Sequence, residues 1–196
     1  SSYISRQIER NKTVNIDYVS HPEYLSFRNW IKKRELFGMD FLFDTLPNDL
    51  VPFDYETFNK ATEEFVVGVT DCKTGEPLFY HKSSYANDML TLLRASSSLP
   101  MVAPIVQYDN LALMDGGISA PLPIKQSEKD GNRKNIVILT RNRGYFKKPQ
   151  SFGWYIKRKY RDYPGLLKAL EKRHIEYNDT LNYLFEEEKK GNVFII

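Results

Sequence analysis

Apolar and polar positions repeat with different periods along the chain, and each change of period marks an element. Residues 1–9 read as a helix. Residues 23–36 read as another, because Tyr24, Phe27, Trp30 and Ile31 recur at helical spacing. Residues 37–53 hold Phe41, Leu42, Phe43, Leu46, Leu50 and two prolines without a steady period. That stretch predicts an apolar loop, either packed over a core or lining an acyl pocket. A short helix is expected over 54–61. Residues 65–70 and 76–81 are β-rich runs joined by Lys73, Thr74 and Gly75, a hairpin signal.

A helix is predicted over 87–94, followed by strands over 105–107 and 111–114 around an Asp109-Asn110 turn. The run Ile136, Val137, Ile138, Leu139 predicts a buried strand over 135–141. From Phe152 the pattern turns helical, with a break at Pro164-Gly165 and helices over 166–177 and 179–190. Gly191 then reads as a helix stop before a strand that runs to Ile196. Alternating strands and helices give an α/β class: a central sheet flanked by helices, with a helical C-terminal part. We divide the chain into an α/β portion, 1–148, and a basic and aromatic helical extension, 149–196.

With 196 residues and 41% hydrophobic content, the chain is long enough to bury a core. Its mean hydropathy is −0.50, and its apolar runs fall far short of the roughly 20 residues that span a bilayer. The single cysteine, Cys72, excludes an internal disulfide and fits a reducing, cytoplasmic setting; we expect a half-buried, inert thiol. His21, His81 and His174 lack metal-ligand spacing, and Asp40, Asp44, Asn48 and Asp49 do not follow a calcium loop. Neither a metal nor an organic cofactor is expected.

Charge is unevenly distributed. Residues 133–161 carry ten Lys and Arg and no Asp or Glu, so the net +3 conceals a +10 segment and leaves the remainder at −7. Tyr145, Phe146, Phe152, Trp154, Tyr155 and Tyr160 are interleaved with these charges. The segment is a solvated face, or it meets an anionic membrane, or it meets a nucleic acid. Lys147, Lys148, Trp154, Lys157, Arg158 and Lys159 are the candidates for membrane contact.

Chemistry concentrates at Asp115-Gly116-Gly117, where the apolar run Leu111 to Met114 breaks into a glycine turn. Two glycines allow positive φ and a sharp turn, which would project the Asp115 carboxylate from a strand end. A buried turn aspartate has the same signature.

The flanks add to this. Ala95, Ser96 and Pro100 stand upstream in a small-residue segment, and Pro121 and Pro123 follow the glycine turn. Together the three segments resemble the patatin-like phospholipase family, most closely bacterial members of unassigned substrate. The resemblance is densest from Leu92 to Ile124 and weaker from Ser1 to about Arg143. It implies hydrolysis of lipid carboxylic esters by a Ser/Asp dyad, with Asp115 as the carboxylate and Gly116 and Gly117 as its loop. A glycine-rich loop would supply the oxyanion donors. Water-exposed Asp, with a pKa of about 3.9, is a feeble base for an alcohol, so such a dyad needs a dry cleft and strong oxyanion stabilisation.

None of the ten glycines belongs to the G-x-S-x-G that carries the family's nucleophile, and none precedes Gly38. Ser119 follows Gly117 but sits beside Pro121, and reads as a turn or helix-cap serine. The resemblance assigns Ser96, Ser97 and Ser98 to packing around the dyad loop. Residues 1–8 look like the helix after the nucleophile turn. We therefore expect a piece of a longer acyl hydrolase, inactive alone and prone to self-association through an exposed sheet edge. The expected partners are a lipid ester and, peripherally, a membrane. The competing class is a non-catalytic binding module with a basic, aromatic surface; nucleic acid ranks below membrane. A patatin-like scaffold that has lost catalysis is a third possibility.

Overall fold

The computed structural model describes residues 2–24, 38–85 and 88–196. Four strands form an antiparallel sheet of order β2-β1-β4-β3: β1 (Val66–Asp71), β2 (Pro77–His81), β3 (Val106–Tyr108) and β4 (Leu111–Asp115). A separate two-stranded parallel sheet pairs β5 (Asn135–Val137) with β6 (Val193–Ile195). The helices are α1 (Ile8–Lys12), α2 (Tyr55–Lys60), α3 (Lys82–Tyr85), α4 (Met89–Ser96), α5 (Ile124–Lys129), α6 (Trp154–Lys159) and α7 (Pro164–Lys189).

Turn chemistry sets both hairpins. Asp109 and Asn110 have φ of 49° and 61°, as the two central positions of a type I′ turn require, and this aligns Tyr108 with Leu111 and Val106 with Leu113. Between β1 and β2, Gly75 turns at φ 80°, and the Asp71 carboxylate accepts from the Lys73 N–H at 3.0 Å and the Thr74 hydroxyl at 2.8 Å. Asp54 caps α2 by accepting the Thr57 N–H at 2.8 Å, which holds its carboxyl below the usual carboxylate range.

Packing separates the chain into two units that are interleaved in sequence: residues 1–67 with 80–115, and residues 68–79 with 116–196. In the first, α4 packs on β3, β4 and the segment Phe41–Leu50. Leu92 and Leu113 there are fully buried. In the second, α7 packs on β6 and on the turn Gly116–Ile118. Ile124, Leu184 and Val193 form a core cluster in this unit, covered by Leu122, Val137, Leu139, Tyr183 and Ile195.

Several expectations are corrected. Residues 2–6 form turns and the first helix starts at Ile8, leading into a π-helical stretch, Thr13–Asp17. The apolar stretch predicted as a loop is π-helical over Phe41–Leu50, with Pro47 inside it; its wider turn hides the 3.6-residue period. The strand expected over 135–141 stops at Val137, and Ile136 and Ile138 are exposed rather than buried. One continuous helix, α7, replaces the two expected over 166–190, because Asn178 points its amide at Lys147 without interrupting the backbone ladder. The helix predicted over 87–94 runs Met89–Ser96. Most of the helix predicted over 23–36 lies outside the described residues.

Candidate active site

Residues Ala112, Leu113 and Met114 of β4 are buried, with alternate side chains on opposite faces of the sheet, so both faces are covered where the strand approaches its end. Asp115 closes that strand and is half-buried. Its backbone N–H donates to the Ser98 carbonyl at 2.9 Å. Ser98 is fully buried, and its hydroxyl donates to the Arg94 carbonyl in the last turn of α4 at 2.8 Å. Arg94 pairs with Asp40 at 2.8 Å. Ser98 thus fixes the backbone at Asp115.

The glycine turn works differently from the sequence expectation. Neither Gly116 nor Gly117 has positive φ; Gly116 is required by close approach, since a Cβ there would lie 2.4 Å from the Gly68 carbonyl oxygen. Gly68 sits inside β1, where an isolated glycine in a strand pattern signals such an approach. The Gly117 carbonyl accepts from Arg173 Nε, on α7, at 2.7 Å. No motif announced Arg173.

Ser119 is not placed as a nucleophile. Its hydroxyl lies 2.7 Å from that of Thr70, and its N–H donates to the same Thr70 oxygen at 3.3 Å, as a turn serine does. Cavities of about 290 and 270 Å³ flank it, the first lined by Thr74, Gly75, Lys168, Lys172 and Glu176 among others. Cys72 is fully rather than half-buried, and burial, with the Asp71 charge adding to it, pushes its thiol up to about 12. Among the described residues no cluster of three His, Cys, Asp or Glu is arranged to hold a metal, and no helix is long and apolar enough to cross a membrane.

The basic segment divides into bound and exposed members. Lys147 is half-buried: Asn178 accepts its N–H at 2.9 Å and donates to its carbonyl at 3.0 Å, and its ammonium sits over the Tyr177 ring. Burial, with Arg173 and Arg141 nearby, lowers its pKa. Lys157 pairs with Glu171 at 3.5 Å, and Lys159 lies over the buried Tyr160. Lys148 and Arg158 are exposed, as is Trp154 at 74%.

Two family models match the chain. The model of a family described as patatin-like phospholipase matches residues 3–127, and that of a domain of unknown function, DUF6363, matches residues 163–196. No curated protein and no solved structure matches the chain. The first match covers well over half of the 196 residues and includes all four strands of the antiparallel sheet and the Asp115 turn, and the chain belongs to the patatin-like phospholipase family, a family of lipid hydrolases.

Proposed function

We propose that Asp115 is the carboxylate of a Ser/Asp dyad that hydrolyses lipid carboxylic esters, the serine coming from a G-x-S-x-G segment that this sequence does not contain. The observation that carries the reading is the fixed placement of Asp115 at the end of β4, with its N–H tied to Ser98, inside the stretch matched by the family. In the reaction the carboxylate takes the serine proton as Oγ attacks the ester carbonyl. The proton passes to the departing alcohol, leaving an acyl-serine. Water then attacks the acyl group, giving its proton through the same carboxylate back to serine and releasing the fatty acid. Backbone N–H groups of a glycine-rich loop, also from outside this sequence, hold the oxyanion.

The test is Asp115→Asn in the protein that carries the nucleophile segment. Asparagine keeps the size and loses the base, so ester turnover should fall at least about 10²-fold, the lower range for a general base, while the thermal midpoint stays put. Retained turnover rejects the dyad. The 196-residue chain alone should not turn over esters.

A second reading concerns the basic segment, which the exposure of Trp154 (74%) and Phe146 (67%) favours as a peripheral contact with anionic lipid. Trp154→Ala with Arg158→Ala should weaken binding to phosphatidylserine vesicles at low salt. Unchanged binding leaves a solvated face, and salt-dependent DNA or RNA binding in its place favours the non-catalytic module.

A further inference from the structure

The carboxylates that meet the basic segment 133–161 are already taken: Glu188 pairs with Arg143, Glu171 with Lys157 and Asp162 with Arg161. Among the described residues no carboxylate pairs with Arg141, Lys147 or Arg173 of α7. The fold nevertheless gathers these cations within one packed unit.

A turn separates Arg141 from Lys147, closed by the Tyr145 N–H on the Asn142 carbonyl at 3.1 Å with Gly144 at φ 85°. Asn178 clamps Lys147 to α7 through both of its backbone groups. Tyr145 and Tyr177 meet edge to face, their centroids 5.9 Å apart. Arg141 lies over the first ring at 5.2 Å and the Lys147 ammonium over the second at 5.4 Å. Arg173 stands one helical turn before Tyr177, on the same side of α7, with its Nε committed to the Gly117 carbonyl at 2.7 Å.

Cations brought together without a counterion repel one another, and the cost is visible at Lys147: burial, then the Arg173 and Arg141 charges, lower its pKa. A ring face steadies a cation without neutralising it. The half-buried Lys147 ammonium, the Arg141 guanidinium and the terminal N–H groups of Arg173 therefore keep their donors without an acceptor among the described residues. Donors held in place by the backbone and left unsatisfied are what a multiply charged oxyanion requires.

We propose that Arg141, Lys147 and Arg173 form a binding site for a phosphomonoester, whose terminal oxygens are shared between the two guanidinium forks and the ammonium. A phosphomonoester carries about −1.5 to −2 charge at pH 7, and so answers this cluster better than a singly charged phosphodiester or carboxylate. The same chemistry is offered by a soluble phosphate ester and by the headgroup of phosphatidate. The site needs neither the Asp115 dyad nor the Trp154 contact.

Calorimetric titration of the 196-residue chain with inorganic phosphate and glycerol 3-phosphate tests this, beside flotation with phosphatidate or phosphatidylserine vesicles of matched surface charge. Arg141→Met and Lys147→Met should each weaken binding at least about ten-fold, and Lys148→Met, which removes the same charge from the adjoining exposed residue, less than about two-fold. The Arg141 side chain is exposed and holds no hydrogen bond of the fold, so its variant keeps the native thermal midpoint. Binding of the soluble probes assigns a soluble ester; binding of phosphatidate vesicles alone, lost in the same two variants, assigns the headgroup. Equal losses in all three variants, an equal response to phosphatidylserine, or no binding of any probe at millimolar concentration overturns the site. Turnover and Trp154 do not enter the phosphate titration, so the dyad and the peripheral contact stand or fall separately.

Discussion

A Cβ on Gly116 would stand 2.4 Å from the carbonyl oxygen of Gly68, far inside van der Waals contact, and the opposing atom is main chain that no rotamer change can move. The turn after Asp115 is therefore held by exclusion: the Gly68 main chain leaves no room for a side chain at position 116.

Gly116→Ala should destabilise the chain by about 2–3 kcal/mol, the upper range for forced overpacking. Gly153→Ala, with nothing within 4 Å of the added carbon and no positive φ, should stay within about 0.5 kcal/mol. Urea midpoints at constant slope compare them; equal midpoints would remove the close approach as a constraint.

Arg173→Met keeps the aliphatic stem but deprives the Gly117 carbonyl of its donor. The site is half-buried, so the loss should be about 1 kcal/mol, and Arg173→Lys should recover only part of it because a lone ammonium does not reproduce the Nε geometry. Full recovery by lysine would mean that charge alone matters there.

Asn178, only 5% exposed, holds both backbone groups of Lys147. Asn178→Ala should cost about 1–3 kcal/mol and accelerate exchange of the Lys147 amide, whereas Asn178→Asp keeps the acceptor and loses the donor. Protection at that amide should then rank Asn, Asp, Ala. Indistinguishable rates for all three would show that another group holds the loop.

Cys72 stays protonated in the fold up to about pH 12, against about 8.5 in the unfolded chain. Its raised pKa contributes stability that is whole below about pH 8.5 and declines as pH rises toward 12, by up to about 1.4 kcal/mol per pH unit. The thiol should resist a disulfide reagent at pH 8 until denaturant is added, and Cys72→Ala should flatten that part of the pH profile. Rapid modification of the folded chain would contradict its burial.

Short-range chemistry was legible in the sequence. The Asp109-Asn110 and Lys73-Thr74-Gly75 turns, the strands they join and Asp115 at a strand end all follow from local residue preferences. The π-helical stretch Phe41–Leu50 escaped because its period is neither 2 nor 3.6. Ile136 and Ile138 looked buried because an unbroken apolar run cannot say which face lacks a neighbour. Arg173, Ser98 and Asn178 act on residues 17 to 56 positions away, through contacts that no spacing encodes.

Gly165, near the start of α7, meets the hairpin turn so closely that a Cβ would lie 2.4 Å from Gly75 N, and the Leu166 N–H donates to the Cys72 carbonyl at 2.9 Å. Gly75 and Cys72 lie in the stretch matched by one family and Gly165 and Leu166 in that matched by the other, yet all four belong to one packed unit. The two families meet here as halves of a joint rather than as beads on a string. A truncation between them would strip the cover from the 68–79 hairpin, so the boundary between the two family matches is not a boundary between independently packed parts.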